Sequence, residues 1–222
     1  MTVSARADLR HVDAWLFDID DTLYPHDNGL MADIRQRIAD FLVRLTGKGE
    51  DEVKLIQRGW FETHGAALPG LLAEYDLAPH VFLDYVHDLP LHQLSPDAAL
   101  DAAIARLPGR VLAFTNGSAN HAERVLEKLG IAHRFEGIFH IQSGDLTPKP
   151  HPATFDRMMA MFGIDPAQTC FLEDSSKNLV HARALGMTTV LVGREDENEA
   201  HINYVTPDLT AFLNAASVKE TA

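Results

Sequence analysis

Ala14-Trp15-Leu16-Phe17-Asp18-Ile19-Asp20-Asp21-Thr22 joins an apolar run to a cluster of acids. The run has the character of a buried strand, and the acids fall where that strand would end. Side chains alternate across a strand, so Asp18 and Asp20, one residue apart, are expected to point the same way. Two carboxylates held together at the mouth of a sheet repel unless a cation joins them or one keeps a proton. That arrangement suits a metal-assisted carboxylate nucleophile with an acid/base partner. The competing reading is an Asp-rich turn that only caps a strand or helix.

Beyond residue 108 the chain alternates short apolar runs with helical patterns. Val111-Leu112-Ala113-Phe114 reads as a strand before a helix over 119–129, and Gly137-Ile138-Phe139-His140-Ile141 as a strand before a helix over 152–162. Thr169-Cys170-Phe171-Leu172 precedes a helix over 176–185, and Thr188-Thr189-Val190-Leu191-Val192 closes the series. The three helices each stop at a glycine followed by an apolar residue, at Gly130-Ile131, Gly163-Ile164 and Gly186-Met187. Repeated strand–helix units of this length predict an α/β fold: a Rossmann-like parallel sheet with helices on both faces.

Some ninety residues of different character separate the first strand, over 12–18, from this series. Ile34, Ile38, Phe41, Leu42 and Leu45 recur at helical spacing, as do Val53, Ile56, Trp60 and Phe61. Shorter helical pieces are expected over 68–77, 79–86 and 97–106, with breaks at Pro69-Gly70, Pro79 and Pro90. An inserted all-helical domain over 25–95 follows, with residues 1–24 and 96–222 forming the core.

The 222 residues suffice for a large core without staples, and the hydrophobic fraction of 46% is ordinary. A net charge of -13 argues against binding a nucleic-acid polymer, which requires many phosphates to be neutralised. It leaves room for a small phosphorylated substrate, because one divalent ion and one lysine reverse the local field. None of the 12 histidines forms H-x-x-x-H or H-E-x-x-H, which argues against a zinc site. Cys170 is alone and sits in an apolar segment, as a buried small hydrophobe would. No stretch reaches the length of a membrane span, and the opening Met1-Thr2-Val3-Ser4-Ala5-Arg6-Ala7-Asp8 lacks the apolar middle of a secretion signal. The expectation is a soluble cytoplasmic protein without a membrane partner.

Four strand ends carry the polar residues. The first bears Asp18, Asp20 and Thr22; the second bears Phe114-Thr115-Asn116-Gly117-Ser118. Thr147-Pro148-Lys149-Pro150 follows the third, and Glu173-Asp174-Ser175 ends the fourth, with Asn178 one turn further on. In open α/β sheets ligands bind outside the carboxyl ends of the strands, so these sets can meet. Together they resemble the haloacid dehalogenase-like superfamily, and the insert lies where that superfamily places a helical cap. A closer likeness is to its pyrimidine 5'-nucleotidase branch. It rests on Phe17-Asp18-Ile19-Asp20-Asp21-Thr22-Leu23-Tyr24-Pro25, Phe114-Thr115-Asn116, Glu173-Asp174-Ser175-Ser176-Lys177-Asn178 and the segment His64-Gly65-Ala66-Ala67-Leu68-Pro69-Gly70-Leu71. The match departs at Asp21, where the nucleotidases often carry Asn, and at Glu173, where they often carry a second Asp.

The resemblance implies a magnesium-dependent (Mg2+) phosphomonoesterase. Asp18 is expected to attack phosphorus, since a carboxylate needs no deprotonation near neutral pH. Asp20 is expected to protonate the leaving alkoxide and later to deprotonate water. Asp18, the backbone carbonyl of Asp20 and Asp174 are the expected metal ligands, with Glu173 ligating or supporting and Asn178 orienting the acidic loop. Thr115, the amides around Asn116-Gly117 and Lys149 are expected to hold phosphate oxygens. Lys149 could instead be a solvated charge, and Thr115 and Ser118 could only cap the helix near 119. In the cap, Trp60 and Phe61 are read as core packing, Arg58, His64 and His80 as candidate substrate contacts, and Tyr24-Pro25 as a stiffened hinge.

The expected partner is a small phosphorylated metabolite, foremost a pyrimidine nucleoside monophosphate, acted on by a monomer or homodimer. Phosphoglycolate or a sugar phosphate is the alternative substrate. A mutase uses the same acids, whereas a dehalogenase has no use for an acid at Asp20. A non-catalytic binding module on the same fold is the reading from another class.

Overall fold

All four side chains of the first strand, β1 (Ala14–Phe17), are buried, as those of a strand covered on both faces must be. The computed structural model describes residues 7–219; residues 1–6, part of the opening stretch read above, and 220–222 lie outside it. β1 lies between β2 (Arg110–Phe114) and β4 (Thr169–Glu173). With β3 (Gly137–Phe139), β5 (Thr188–Val192) and β6 (Tyr204–Thr206) they form a parallel sheet of order β3-β2-β1-β4-β5-β6. Chain direction across the sheet reverses between β1 and β4, the switch point at which such sheets bind ligands.

Alternation along the strands splits the core in two. Trp15, Phe17, Val111, Ala113, Cys170 and Leu172 join one apolar cluster, while Leu16, Leu112, Phe114 and Phe171 join the other. Helices α1 (Leu30–Thr46), α2 (Glu50–His64), α3 (Ala67–Glu74) and α4 (Pro79–His87) lie between β1 and β2 and form the helical insert. Helix α5 (Ala98–Ala105) instead packs against the C-terminal α9 (Leu209–Ala215). The remaining helices, α6 (Ala119–Lys128), α7 (Pro152–Phe162) and α8 (Ser176–Ala184), follow β2, β3 and β4. This is the Rossmann-like α/β architecture expected, with its all-helical insert.

Two local expectations differ from the structure. Pro69-Gly70 does not break a helix, because Pro69 occupies the third position of α3, where a backbone N–H has no intrahelical partner to lose. Gly70 in turn lets α3 approach Trp60, whose ring would lie 2.2 Å from a Cβ at that position. The strand–helix series also runs past Val192, through β6 and α9. β6 has three residues and α9 seven, too short for periodicity to reveal. Among the described residues no helix is long and apolar enough to cross a membrane.

Candidate active site

Asp18 follows β1 directly, and its backbone N–H donates to Leu172 O at 2.9 Å, which brings it beside the end of β4. Glu173 ends that strand and Asp174 follows it. One oxygen from each of Asp18, Glu173 and Asp174 lies within 4.8 Å of the others. The Lys149 ammonium closes the cluster, donating to Asp18 Oδ1 at 2.7 Å, Glu173 Oε2 at 2.6 Å and Phe114 O at 2.7 Å. Lys149 is only 1% exposed and sits over the rings of Phe114 and Phe171, so it is no solvated charge. The Asn116 side chain holds its loop, accepting from Lys149 N at 2.7 Å and donating to Lys149 O at 3.2 Å.

Three carboxylates against one ammonium leave the cluster short of positive charge. Burial, and then the negative charge of Glu173, hold the Asp18 carboxyl well above the ordinary range. Glu173 and Asp174 are raised as well, in both cases chiefly by burial. Burial alone would push Lys149 down, but Asp18 and Glu173 outweigh it and keep the ammonium charged. A set of carboxylate oxygens with no thiol or imidazole suits a hard divalent cation, so these residues fit magnesium. Glu173 thus belongs to the acidic group itself, whereas the Asp20 carboxylate does not.

Asp20 faces elsewhere. Its Oδ1 accepts from Tyr24 OH at 2.6 Å and lies 2.8 Å from His121 Nε2, while Asp18 Oδ2 accepts from Thr22 Oγ1 at 3.1 Å. Burial raises the Asp20 carboxyl, but His121 and the Tyr24 hydroxyl more than offset it and draw the group down to about 2. Asp21 has a φ of 56°, a left-handed conformation that Asp and Asn adopt more readily than other non-glycine residues. The Asp for Asn difference at this position therefore keeps the turn. Thr115 is buried and accepts from Gly117 N at 2.8 Å. Ser118 caps α6, accepting from His121 N at 3.3 Å, which is the structural role open to it.

A cavity of about 650 Å³ opens between these strand ends and the insert. Asp18, Asp20, Thr115, Asn116, Lys149, Glu173, Asp174 and Asn178 all reach its wall. The insert contributes Arg35, Arg58 and Phe61, whereas the exposed His64 and His80 stay outside it. Trp60 is core, donating from Nε1 to Glu74 at 2.8 Å, but Phe61 is 40% exposed and belongs to the cavity rather than the core. Gly65 ends α2 against the loop that carries Lys149: with φ at +78°, a Cβ there would meet Lys149 O at 2.8 Å. Arg35, His121 and His87 are residues that the motif reading missed. His121 lies on the apolar stripe of α6 with Ala122 and Val125, a placement the sequence displays without showing what it meets.

Comparison with known proteins supplies the family. The model of the haloacid dehalogenase-like hydrolases matches residues 12–186. Phosphate metabolism protein 8 of Saccharomyces cerevisiae is 28% identical over 212 residues, covering 87% of this chain and 65% of that protein. A phosphoglycolate phosphatase of Haemophilus influenzae is 33% identical over 99 residues, 44% of each chain. This chain thus covers less than two thirds of the length of either relative. The crystal structure of a HAD phosphatase from Thermococcus onnurineus superposes with a TM-score of 0.62 at 20% identity, covering 92% of this chain and 99% of that one. The likeness in fold spans the sheet and insert together, the family match takes in all four strand ends, and the chain belongs to the haloacid dehalogenase-like hydrolases.

Proposed function

We propose that this chain hydrolyses phosphate monoesters through a phosphoaspartate on Asp18, with pyrimidine nucleoside 5'-monophosphates as its substrates. One observation carries the reading: a buried carboxylate at a cavity wall, 2.7 Å from a buried ammonium and beside two further acids. Asp18 attacks phosphorus, forming a P–O bond as the ester P–O bond breaks. Asp20 gives a proton to the departing alkoxide, then takes one from the water that releases inorganic phosphate. Its hydrogen-bond donors keep Asp20 ionised in the free enzyme, the form that accepts a proton. A substrate dianion alongside raises it toward the donor form. Lys149 orients Asp18 and offsets its charge, and Thr115 with the amides around Asn116 and Gly117 holds the phosphate oxygens.

Asp18, Glu173 and Asp174, with the Asp20 carbonyl, would hold magnesium, and Asn178 would orient that loop. When bound, the ion screens the repulsion between Asp18 and the phosphate. The insert, taken as residues 25–95, acts as a cap whose Phe61 offers a flat apolar surface to a base and whose Arg35 and Arg58 offer donors to its oxygens.

Phosphoglycolate is the second reading, favoured by the Haemophilus influenzae relative and by the same two arginines, which can pair with a carboxylate. Phosphate release from UMP, CMP, 2-phosphoglycolate and a sugar phosphate, with and without magnesium, tests both. Higher kcat/KM on UMP and CMP supports the nucleotidase; higher kcat/KM on phosphoglycolate replaces it. Retained turnover by Asp18→Asn refutes the nucleophile.

A further inference from the structure

We propose that His121 is the positioning residue for Asp20, and that His87, at the end of the helical insert, holds His121 in place. The inference rests on the phosphatase reading and adds to it the means by which the acid/base group is aimed. His121 is completely buried, and its Nε2 reaches Asp20 Oδ1 across 101 residues of sequence. Its Nδ1 is buried without a hydrogen-bond partner. An imidazole kept for structure alone would be expected to have both nitrogens satisfied, because leaving a buried polar atom without a partner is costly. Among the described residues, the only hydrogen bond of the ring goes to Asp20.

The direction of aim is visible in which oxygen is used. Tyr24 and His121 both meet Oδ1, and among the described residues no group donates to Oδ2. An ionised carboxylate only accepts, which places the His121 proton on Nε2. Oδ2 is thereby left toward Gly117, whose Cβ position lies 3.5 Å from it, on the wall of the cavity. That oxygen is the one free to exchange a proton with a leaving group.

His87 fastens the arrangement from the insert. It is the last residue of α4, and its ring stacks on His121 with centroids 4.4 Å apart and planes at 17°. Its Nδ1 lies 2.9 Å from Ser118 Oγ, and Arg124 donates to the carbonyls of His87 at 2.8 Å and Leu89 at 2.7 Å. The return of the chain from the insert is therefore tied to the helix that carries His121. One stack of two rings thus joins the end of the insert to the side chain that meets Asp20.

The test compares kcat/KM, which reports the steps up to departure of the leaving group and not the later hydrolysis, for an alkyl phosphate, whose leaving group needs a proton, with kcat/KM for p-nitrophenyl phosphate, whose leaving group does not. His121→Phe should lower the alkyl-to-aryl ratio about tenfold or more, part of the roughly hundredfold or greater contribution typical of general acid catalysis. His121→Gln, whose Nε2 can reach the same oxygen, should restore the ratio to within a few-fold, and the shorter His121→Asn should not. The Gln and Asn pair decides the matter if the Phe variant does not fold. His87→Ala should lower the ratio in the same direction, and a ratio unchanged in that variant alone overturns the part assigned to His87. Equal losses on both esters, or Gln and Asn behaving alike, overturn the inference for His121 while leaving the hydrolase intact. A wild type inert on both esters and on UMP, CMP, 2-phosphoglycolate and a sugar phosphate removes the phosphatase reading and this inference with it.

Discussion

Lys149→Met removes the ammonium while keeping nearly the same volume, so the loss it causes is electrostatic rather than a cavity. Three acceptors lose their donor: Asp18 Oδ1, Glu173 Oε2 and Phe114 O, at 2.6–2.7 Å. The side chains of both carboxylates are nearly closed to solvent, 8% exposed for Asp18 and 1% for Glu173. Removing one partner of a buried ion pair costs about 3–5 kcal/mol, and here one cation serves two anions, which puts the loss near the top of that range, about 5 kcal/mol. Against a total stability of about 5–15 kcal/mol, that is a large fraction. Urea unfolding in the presence of EDTA measures it. Saturating magnesium should shrink the loss, because the ion takes over part of the neutralisation. Adding Glu173→Leu to the variant should recover part of it, since one of the stranded acids is then gone. A Lys149→Met protein within about 1 kcal/mol of wild type in EDTA would refute the reasoning. It would mean that the acids take up protons and never needed the lysine.

Other consequences are open to direct measurement. Magnesium added to EDTA-treated protein should raise Tm, by the equivalent of about 2.7 kcal/mol at one hundred times Kd, and Asp174→Ala should abolish the rise; an equal rise in the variant refutes the acidic cluster as the binding site. Burial, and then the proximity of His121, lower His87 to about 3, so the folded protein keeps it neutral where the unfolded chain binds a proton. With Asp20 and Arg124 as its other charged neighbours, His87 should make stability fall as pH drops from about 6.5 toward 3, by at most about 1.4 kcal/mol per unit. His87→Phe should unfold with a shallower pH dependence over that interval, and equal slopes would rule the effect out. Gly70→Ala would set a Cβ 2.2 Å from Trp60 Cγ. Overpacking of about 1–3 kcal/mol then outweighs about 0.5–1 kcal/mol of helix propensity, and a raised Tm would contradict this. Phe61→Ala should raise KM for UMP more than for a sugar phosphate; equal changes would remove Phe61 from base recognition.

Legibility in the sequence followed the range of the interaction and the demands of the chemistry. Helix ends were readable because a glycine at the stop is a local matter, and Gly130, Gly163 and Gly186 all have positive φ. Pro69 misled because its effect depends on its place in the helix, which the residue itself does not reveal. Phe61 and Trp60 are neighbours on α2, yet one lines a cavity and the other fills the core, and only the packing of α3 separates them. The contrast between Lys149 and His121 goes further. Both reach an acid more than a hundred residues away, Lys149 across 131 and His121 across 101. Phosphoryl transfer calls for a cation among its carboxylates, so a lysine at a strand end could be singled out before any contact was seen. Nothing in that chemistry says which side chain should aim Asp20, and 12 histidines offered no means of choosing. A residue that acts through another leaves its trace in geometry, and here the trace is a buried imidazole whose one hydrogen-bonding partner among the described residues is Asp20.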